Sequence, residues 1–188
     1  MSAFRTILLA VCSLLLGAAA CSAEVDGPRT GRMPLLDHGN WELVPFAEDP
    51  FASEYAPAGG DAVGLPAAPT CSALAVLTEG GMLEIDTDNC SFVTVRTQTL
   101  DTIRVGETQR LLFWHLYLFA DPPAQGVAEL RVDGKTWWRL EVEIPAQEAI
   151  YKPKSVADRA IPAGSEVLFH VHNHGANSWR LLDWTTGD

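Results

Sequence analysis

Runs of cationic residues are missing from this 188-residue chain, in which 13 Lys and Arg face 24 Asp and Glu and the formal net charge is −11. Nucleic-acid phosphates are held by clustered cations, so this balance argues against a nucleic-acid partner. It argues equally against docking of the body on anionic lipid. Cysteine is scarce: the four are Cys12, Cys21, Cys71 and Cys90, and none forms a C-x-x-C pair of the redox kind. After the first twenty residues no apolar run approaches the ~20 needed to span a bilayer as a helix. There is no sustained helical period and no internal repeat. Nucleophile elbow, phosphate loop and H-E-x-x-H are all absent. Glu141 and Glu143 are carboxylates on one strand, which is not in itself a glycosidase pair. Nothing in the chain demands catalysis.

What is present begins with an export signal. Arg5 supplies a positive start, Ile7 to Leu16 an apolar stretch, and Gly17-Ala18-Ala19-Ala20 a small-residue cleavage site before Cys21. From Met1 to about Ser22 the sequence resembles bacterial lipoproteins, which implies lipidation of Cys21 and anchoring through that lipid. Ala18 stands where such proteins usually carry a larger aliphatic residue, and Ala18-Ala19-Ala20 also reads as an ordinary signal-peptidase site. Cysteine arithmetic favours the lipid. Without Cys12, three cysteines remain, and a disulfide between Cys71 and Cys90 leaves Cys21 over. Ser22 after the cysteine implies, by the same resemblance, the outer membrane.

The organisation expected is a signal peptide over 1–20, a lipid-anchored flexible tether over 21–40 and one β-sandwich domain over 41–188. Gly27, Pro28, Gly31, Pro34 and Gly39 punctuate the tether. Residues Ala47 to Thr70 carry four prolines and three glycines more, which predicts an irregular segment lying over the sandwich. From Cys71 short β-rich runs follow one another between turn residues: Leu74–Leu77, Met82–Asp86, Ser91–Gln98, Thr102–Val105, Gln109–Phe119, Val127–Val132 and Thr136–Ile144. A turn or two of helix is expected within Ala146–Ala160. This spacing predicts an all-β antiparallel sandwich of jelly-roll type, and the body is similar in this succession to jelly-roll β-sandwich binding modules.

The chain closes on a hairpin that holds three of its five histidines. Val167, Phe169 and Val171 alternate with Leu168, His170 and His172. Asn173 to Asn177 forms the turn, and a strand runs from Ser178 to Trp184. His170 and His172 share a face on which they can converge on a divalent metal, with His115, His174 or a carboxylate completing the ligands. Pro162-Ala163-Gly164 before His170 and His172 resembles the cupins, but their downstream Glu and second His motif are missing. Gly164-Ser165-Glu166-Val167 with Asn173 resembles the cupredoxins, but their Cys, His and Met ligands do not follow.

A second candidate site comes from strand parity. Arg139 and Glu141 oppose the apolar Trp138, Leu140 and Val142, and the Asp133-Gly134 turn brings Glu129 and Arg131 onto the same outward face. Parity places Trp137 there too. A tryptophan beside Arg and Glu stacks and hydrogen-bonds a sugar ring, so Trp137, Arg131, Arg139 and Glu141 form the expected glycan platform. The bland alternative is a solvated face laced with weak ion pairs. The function expected is thus a cell-envelope binding or structural module with a glycan or an envelope protein as partner. A metal-binding protein centred on His115, His170 and His172, or a purely structural lipoprotein, are the alternatives.

Overall fold

Strands form where β-branched and aromatic residues alternate with polar ones between glycine and proline turns. In the computed structural model, which describes residues 29, 31–55 and 71–187, twelve strands arise this way. They are β1 (Met33–Pro34), β2 (Glu42–Leu43), β3 (Val76–Glu79), β4 (Met82–Asp86), β5 (Phe92–Gln98) and β6 (Thr108–His115). β7 (Ala124–Val132), β8 (Lys135–Ile144), β9 (Ala149–Tyr151), β10 (Lys154–Val156), β11 (Glu166–Asn173) and β12 (Ser178–Thr186) follow. One α-helical turn, α1 (Ala52–Tyr55), lies between β2 and β3, flanked by short 3-10 turns.

Sheet A is seven-stranded, ordered β10-β6-β12-β4-β3, with β9 beside β6 and β1 beside β12; sheet B is five-stranded, ordered β2-β5-β11-β7-β8. All the pairings are antiparallel. From β4 onward the chain crosses between sheets at each connection except the β7–β8 hairpin and the β9–β10 pair, which is the jelly-roll sandwich expected. Between the sheets lie Phe113, Leu111, Trp179, Leu181 and Trp184 from sheet A and Val95, Leu130, Val167, Phe169 and Val171 from sheet B, all buried. The β7–β8 turn places Asp133 (φ 47°) and Gly134 (φ 73°) in the left-handed region, as a two-residue hairpin loop requires.

Sheet B is covered on its outer side as well. Residues 44–55 run across it, and Val44, Phe51, Phe92 and Leu168, with Phe46, make a second, smaller core. The expectation that the segment beginning at Ala47 lies over the sandwich is met as far as Tyr55; the rest of it, 56–70, falls outside the described residues. Glu54 on α1 binds Arg131 with both oxygens, at 2.9 and 2.6 Å, which fastens the crossing segment to β7.

Four expectations change. The closing segment is not a hairpin: β11 pairs with β5 and β7 in sheet B and β12 with β6 and β4 in sheet A, so the Asn173–Asn177 turn crosses between the sheets. The outer part of the tether is not a tether: β1 pairs with β12, and Leu35 and Leu36 are buried in the main core, because two adjacent leucines beside an open strand edge have apolar surface to bury. Residues Ala146–Ala160 form β9 and β10 instead of helical turns, since the edge of β6 offers unpaired backbone groups and Pro153 breaks any helix. The run from Thr102 to Val105 contributes only an isolated bridge, Ile103 to Ile161.

Cys71 and Cys90 form the expected disulfide. It closes the loop carrying β3 and β4 and ties the chain at Cys71 to the start of β5. Such bonds persist in oxidising compartments, which agrees with export. Among the described residues no helix is long and apolar enough to cross a membrane. Replacing both cysteines by alanine is expected to lower unfolding free energy by about 3 kcal/mol, read by denaturant titration of the oxidised wild type against the double variant; unchanged stability contradicts the cross-link's role.

Candidate functional site

Cys21 and the signal peptide lie outside the described residues. The histidine site is placed otherwise than expected. His115 is on β6 facing the interior of the sandwich, where its ring packs on Trp179 and its Nε2 lies 3.1 Å from the Tyr151 hydroxyl. His170 and His172 face the outer side of sheet B, so the inward residues of β11 separate them from His115. The three do not converge. His170 Nδ1 shares a 2.7 Å hydrogen bond with the Thr94 hydroxyl, and His170 Nε2 shares one of 2.8 Å with His172 Nδ1. Phe51 stacks on the His170 ring at 4.2 Å between centroids, and Phe92 meets it edge-on at 4.5 Å. Among the described residues no group of three or more His, Cys, Asp or Glu is arranged to hold a metal.

Burial sets the protonation of this pair. It lowers His170 well below the ordinary imidazole range, with the His172, Arg131 and Arg139 charges adding to the effect. It brings His172 down to about 4, reinforced by Arg139. Asp49, whose carboxylate caps the Phe51 amide at 2.8 Å, moves the other way, raised by burial and partly offset by a hydrogen bond from Thr94.

The platform expected around Trp137 is also rearranged. Glu129, Arg131, Arg139 and Glu141 do share the outer face of sheet B. Glu129 lies beneath, 1% exposed, accepting from Arg131 at 2.7 Å, Thr136 at 2.6 Å and Arg139 at 2.9 Å, while Arg139 also pairs with Glu141. Arg131 completes its set on Glu54 and stands over the Phe51 ring at 3.9 Å. These guanidinium groups serve carboxylates of the chain itself, and Arg131 does so beneath the covering segment. Trp137 is not among them. The register of β7 and β8 shifts between Leu130 and Arg131, so that Trp138 pairs with Leu130 and Thr136 with Arg131, leaving Trp137 as the extra residue of a bulge. Its ring turns to Trp184, 5.4 Å away across the sandwich, and packs against the main core. Parity counting fails at a bulge, and Trp137 does not stand with Arg131, Arg139 and Glu141 on the outer face.

The β11–β12 turn follows the turn chemistry of its residues. Asn173 Oδ1 accepts from Trp179 Nε1 at 2.6 Å, Asn177 Nδ2 donates to the His174 carbonyl at 3.0 Å, and Thr87 donates to the Asn177 carbonyl at 2.9 Å. Gly126 is required here: a Cβ would sit 2.6 Å from the Trp179 ring.

The outer face of sheet A also carries a tryptophan beside an arginine and a glutamate. Trp114 on β6 is paired across the strands with Ile150 on β9 and with Arg180 on β12, and Arg180 with Glu84 on β4. One row of side chains thus crosses the sheet as Ile150, Trp114, Arg180 and Glu84. All four are partly or fully exposed. The Arg180 guanidinium carbon stands 4.8 Å from the Trp114 ring centroid, and its Nε donates to Glu84 Oε2 at 3.0 Å. No hydrogen bond among the described residues engages the two Nη groups of Arg180 or the Oε1 of Glu84. Four donor hydrogens and an acceptor therefore stand ready beside an indole face. Trp114 sits in a run that is apolar on both sides, yet the covering segment lies on sheet B. The signal was the shared parity of Arg110, Leu112 and Trp114 against Leu111, Phe113 and His115.

No protein-family model matches the chain, and no curated protein does. Among solved structures the chain is similar to a protein described under "CBM4 structure and function", with 13% identity over 80% of this chain and 88% of that one and a TM-score of 0.41. It is similar to the xylan-binding module CBM15, with 9% identity over 85% and 97% and a TM-score of 0.39. A CBM35 from Paenibacillus barcinonensis gives 10% identity over 84% and 98%, with a TM-score of 0.37. None of these scores reaches 0.5, and the sandwich rests on this chain's own strand pairing.

The buried imidazoles generate a pH dependence. A histidine whose folded pKa is depressed contributes stability that is fully present above its unfolded value, near 6.5, and declines as pH falls towards the folded value, about 4 for His172. The His172 share is on the order of 3 kcal/mol. Asp49, raised by burial, has the opposite sign, contributing at low pH and less as pH rises through its folded value. Denaturant unfolding between pH 7 and pH 4 is expected to show wild type losing stability more steeply than His172→Gln; equal slopes contradict the assignment.

Proposed function

We propose that this protein is an exported, lipid-anchored glycan-binding module of the cell envelope, which holds its ligand on the outer face of sheet A. The observation that carries the reading is the row Trp114, Arg180 and Glu84. A sugar ring presents C–H groups on its faces and hydroxyls on its rim. The indole supplies apolar, polarisable area for the first, and the unengaged Nη donors of Arg180 and Oε1 of Glu84 supply a donor and acceptor pair for the second. The Arg180–Glu84 ion pair fixes the guanidinium before a ligand arrives, so less side-chain entropy is lost on binding. Strands hold all three residues, which keeps the platform rigid.

Anchoring rests on the sequence. The apolar stretch before Cys21 and the odd cysteine count support lipidation at Cys21, and the disulfide supports passage into an oxidising compartment. A lipid-tethered binding module retains glycan at the cell surface without enzymatic turnover.

The test is a glycan array probed with the full chain in detergent, comparing wild type, Trp114→Ala, Arg180→Ala and Trp137→Ala. Wild type is expected to bind a saccharide class that Trp114→Ala and Arg180→Ala lose by at least about tenfold, with melting temperatures close to wild type. Trp137→Ala is expected to lower the melting temperature and keep the affinity of its folded fraction. Loss confined to Trp137→Ala, or no saccharide bound by wild type, contradicts the proposal.

A further inference from the structure

The chain's cations, scattered in sequence, gather in space. Directly along the face from Trp114, sheet A forms a pocket of about 360 Å³ lined by Arg32, Arg110, Lys152, Lys154, Leu112 and Asp183, with Leu111 and Thr185. Arg110 and Leu112 are on the same side of β6 as Trp114, so the pocket begins at the next outward position of the strand, about 7 Å along it. Among the described residues that line it, four of the chain's 13 Lys and Arg stand with one acid, Asp183, in a protein of net charge −11.

Two features set this cluster apart from a solvated basic face. Lys154 and Arg110 are directly paired across β10 and β6, which sets two cationic side chains beside each other on one face. Arg32, Lys152 and Lys154 make no ion pair among the described residues, whereas on sheet B both Arg131 and Arg139 bind carboxylates. Arg110 is held in place by donating to the Gly187 carbonyl. A concave site that concentrates positive potential in an acidic protein draws an anion to it, and exposed lysine ammonium groups meet an oxyanion as mobile point charges.

We infer that this pocket takes an oxyanion carried by the bound glycan, either a uronic-acid carboxylate or a sulfate ester, so that the ligand is an acidic saccharide. The inference rests on the glycan reading of the Trp114 face and extends it: one residue of the ligand lies on the indole while the charged substituent of a neighbouring residue enters the basic pocket. The acidity of the protein then works as selection, since elsewhere its surface repels the same ligand.

The test uses the full chain in detergent and matched probes: oligogalacturonate against its methyl ester, and chondroitin sulfate against unsulfated, carboxyl-reduced chondroitin. At low salt the acidic member of a pair is expected to bind at least about tenfold more tightly, with an affinity that falls as salt rises. Lys152→Gln combined with Lys154→Gln is expected to remove most of that preference and to leave neutral binding as it was. Both side chains are exposed, so the fold is expected to tolerate the change. Equal affinity for acidic and neutral members, still lost in Trp114→Ala, overturns the anion pocket and leaves the glycan face standing. Absence of saccharide binding, with capture of phosphatidylglycerol vesicles that depends on Lys152 and Lys154, overturns the glycan reading and reassigns the oxyanion to lipid phosphate.

Discussion

Phe51, fully buried on the outside of a sheet, decides which face of this sandwich is open. Its ring stacks on His170, meets the Arg131 guanidinium, and stands beside the ion pair between Arg131 and Glu54. A sheet with polar groups on its outer side usually leaves them to water. Here the aromatic cover takes the histidine pair, Thr94 and Glu129 out of solvent, and each must then find its hydrogen-bond partner within the protein. Neutral imidazoles bonded to each other and a carboxylate bonded to two arginines and a threonine are the solutions adopted. The cost of desolvating Glu129 is offset only while its partners stay in place, so this face is committed to structure. Sheet A, with no such cover among the described residues, keeps its outer face for other uses.

The distribution of charge follows the same division. On sheet B Arg131 and Arg139 are paired with Glu54, Glu129 and Glu141. On sheet A Arg180 is paired once, through Nε, and the cations around Asp183 outnumber the acids. An overall balance of −11 therefore describes the protein poorly as a binding surface. A cluster built from Arg32, Arg110, Lys152 and Lys154 is drawn from residues up to 122 positions apart in the chain, and no run of adjacent residues announces it.

The fold was legible in the sequence where alternation is regular and turn residues bound it. Met82–Asp86 was read to the residue, β11 and the Asp133-Gly134 turn follow directly from period two and glycine chemistry, and the disulfide follows from cysteine number and compartment. The proposed binding face was not legible, for three physical reasons. The bulge at Trp137 reverses parity for one residue, and that residue was the proposed aromatic anchor. The Gln109–Phe119 run is apolar on both sides, and apolar content does not reveal which sheet a distant covering segment will choose. His115 was grouped with His170 and His172 by residue type, whereas the sandwich places it on the other sheet. Pairing between β6, β12 and β4, which assembles Trp114, Arg180 and Glu84, joins positions that only tertiary structure makes neighbours.

The central claim is that ligand meets sheet A and not sheet B, and mapping the binding surface by backbone and indole NMR shifts tests it most directly. Titration of the isotopically labelled chain with an acidic oligosaccharide is predicted to move the resonances of Leu112, Trp114, Lys154 and Arg180 together. Those of Arg131, Arg139, Glu141 and His170 are predicted to stay fixed. Shifts concentrated on the second group, with Trp114 unmoved, would contradict the account and return the binding surface to the face that Phe51 covers.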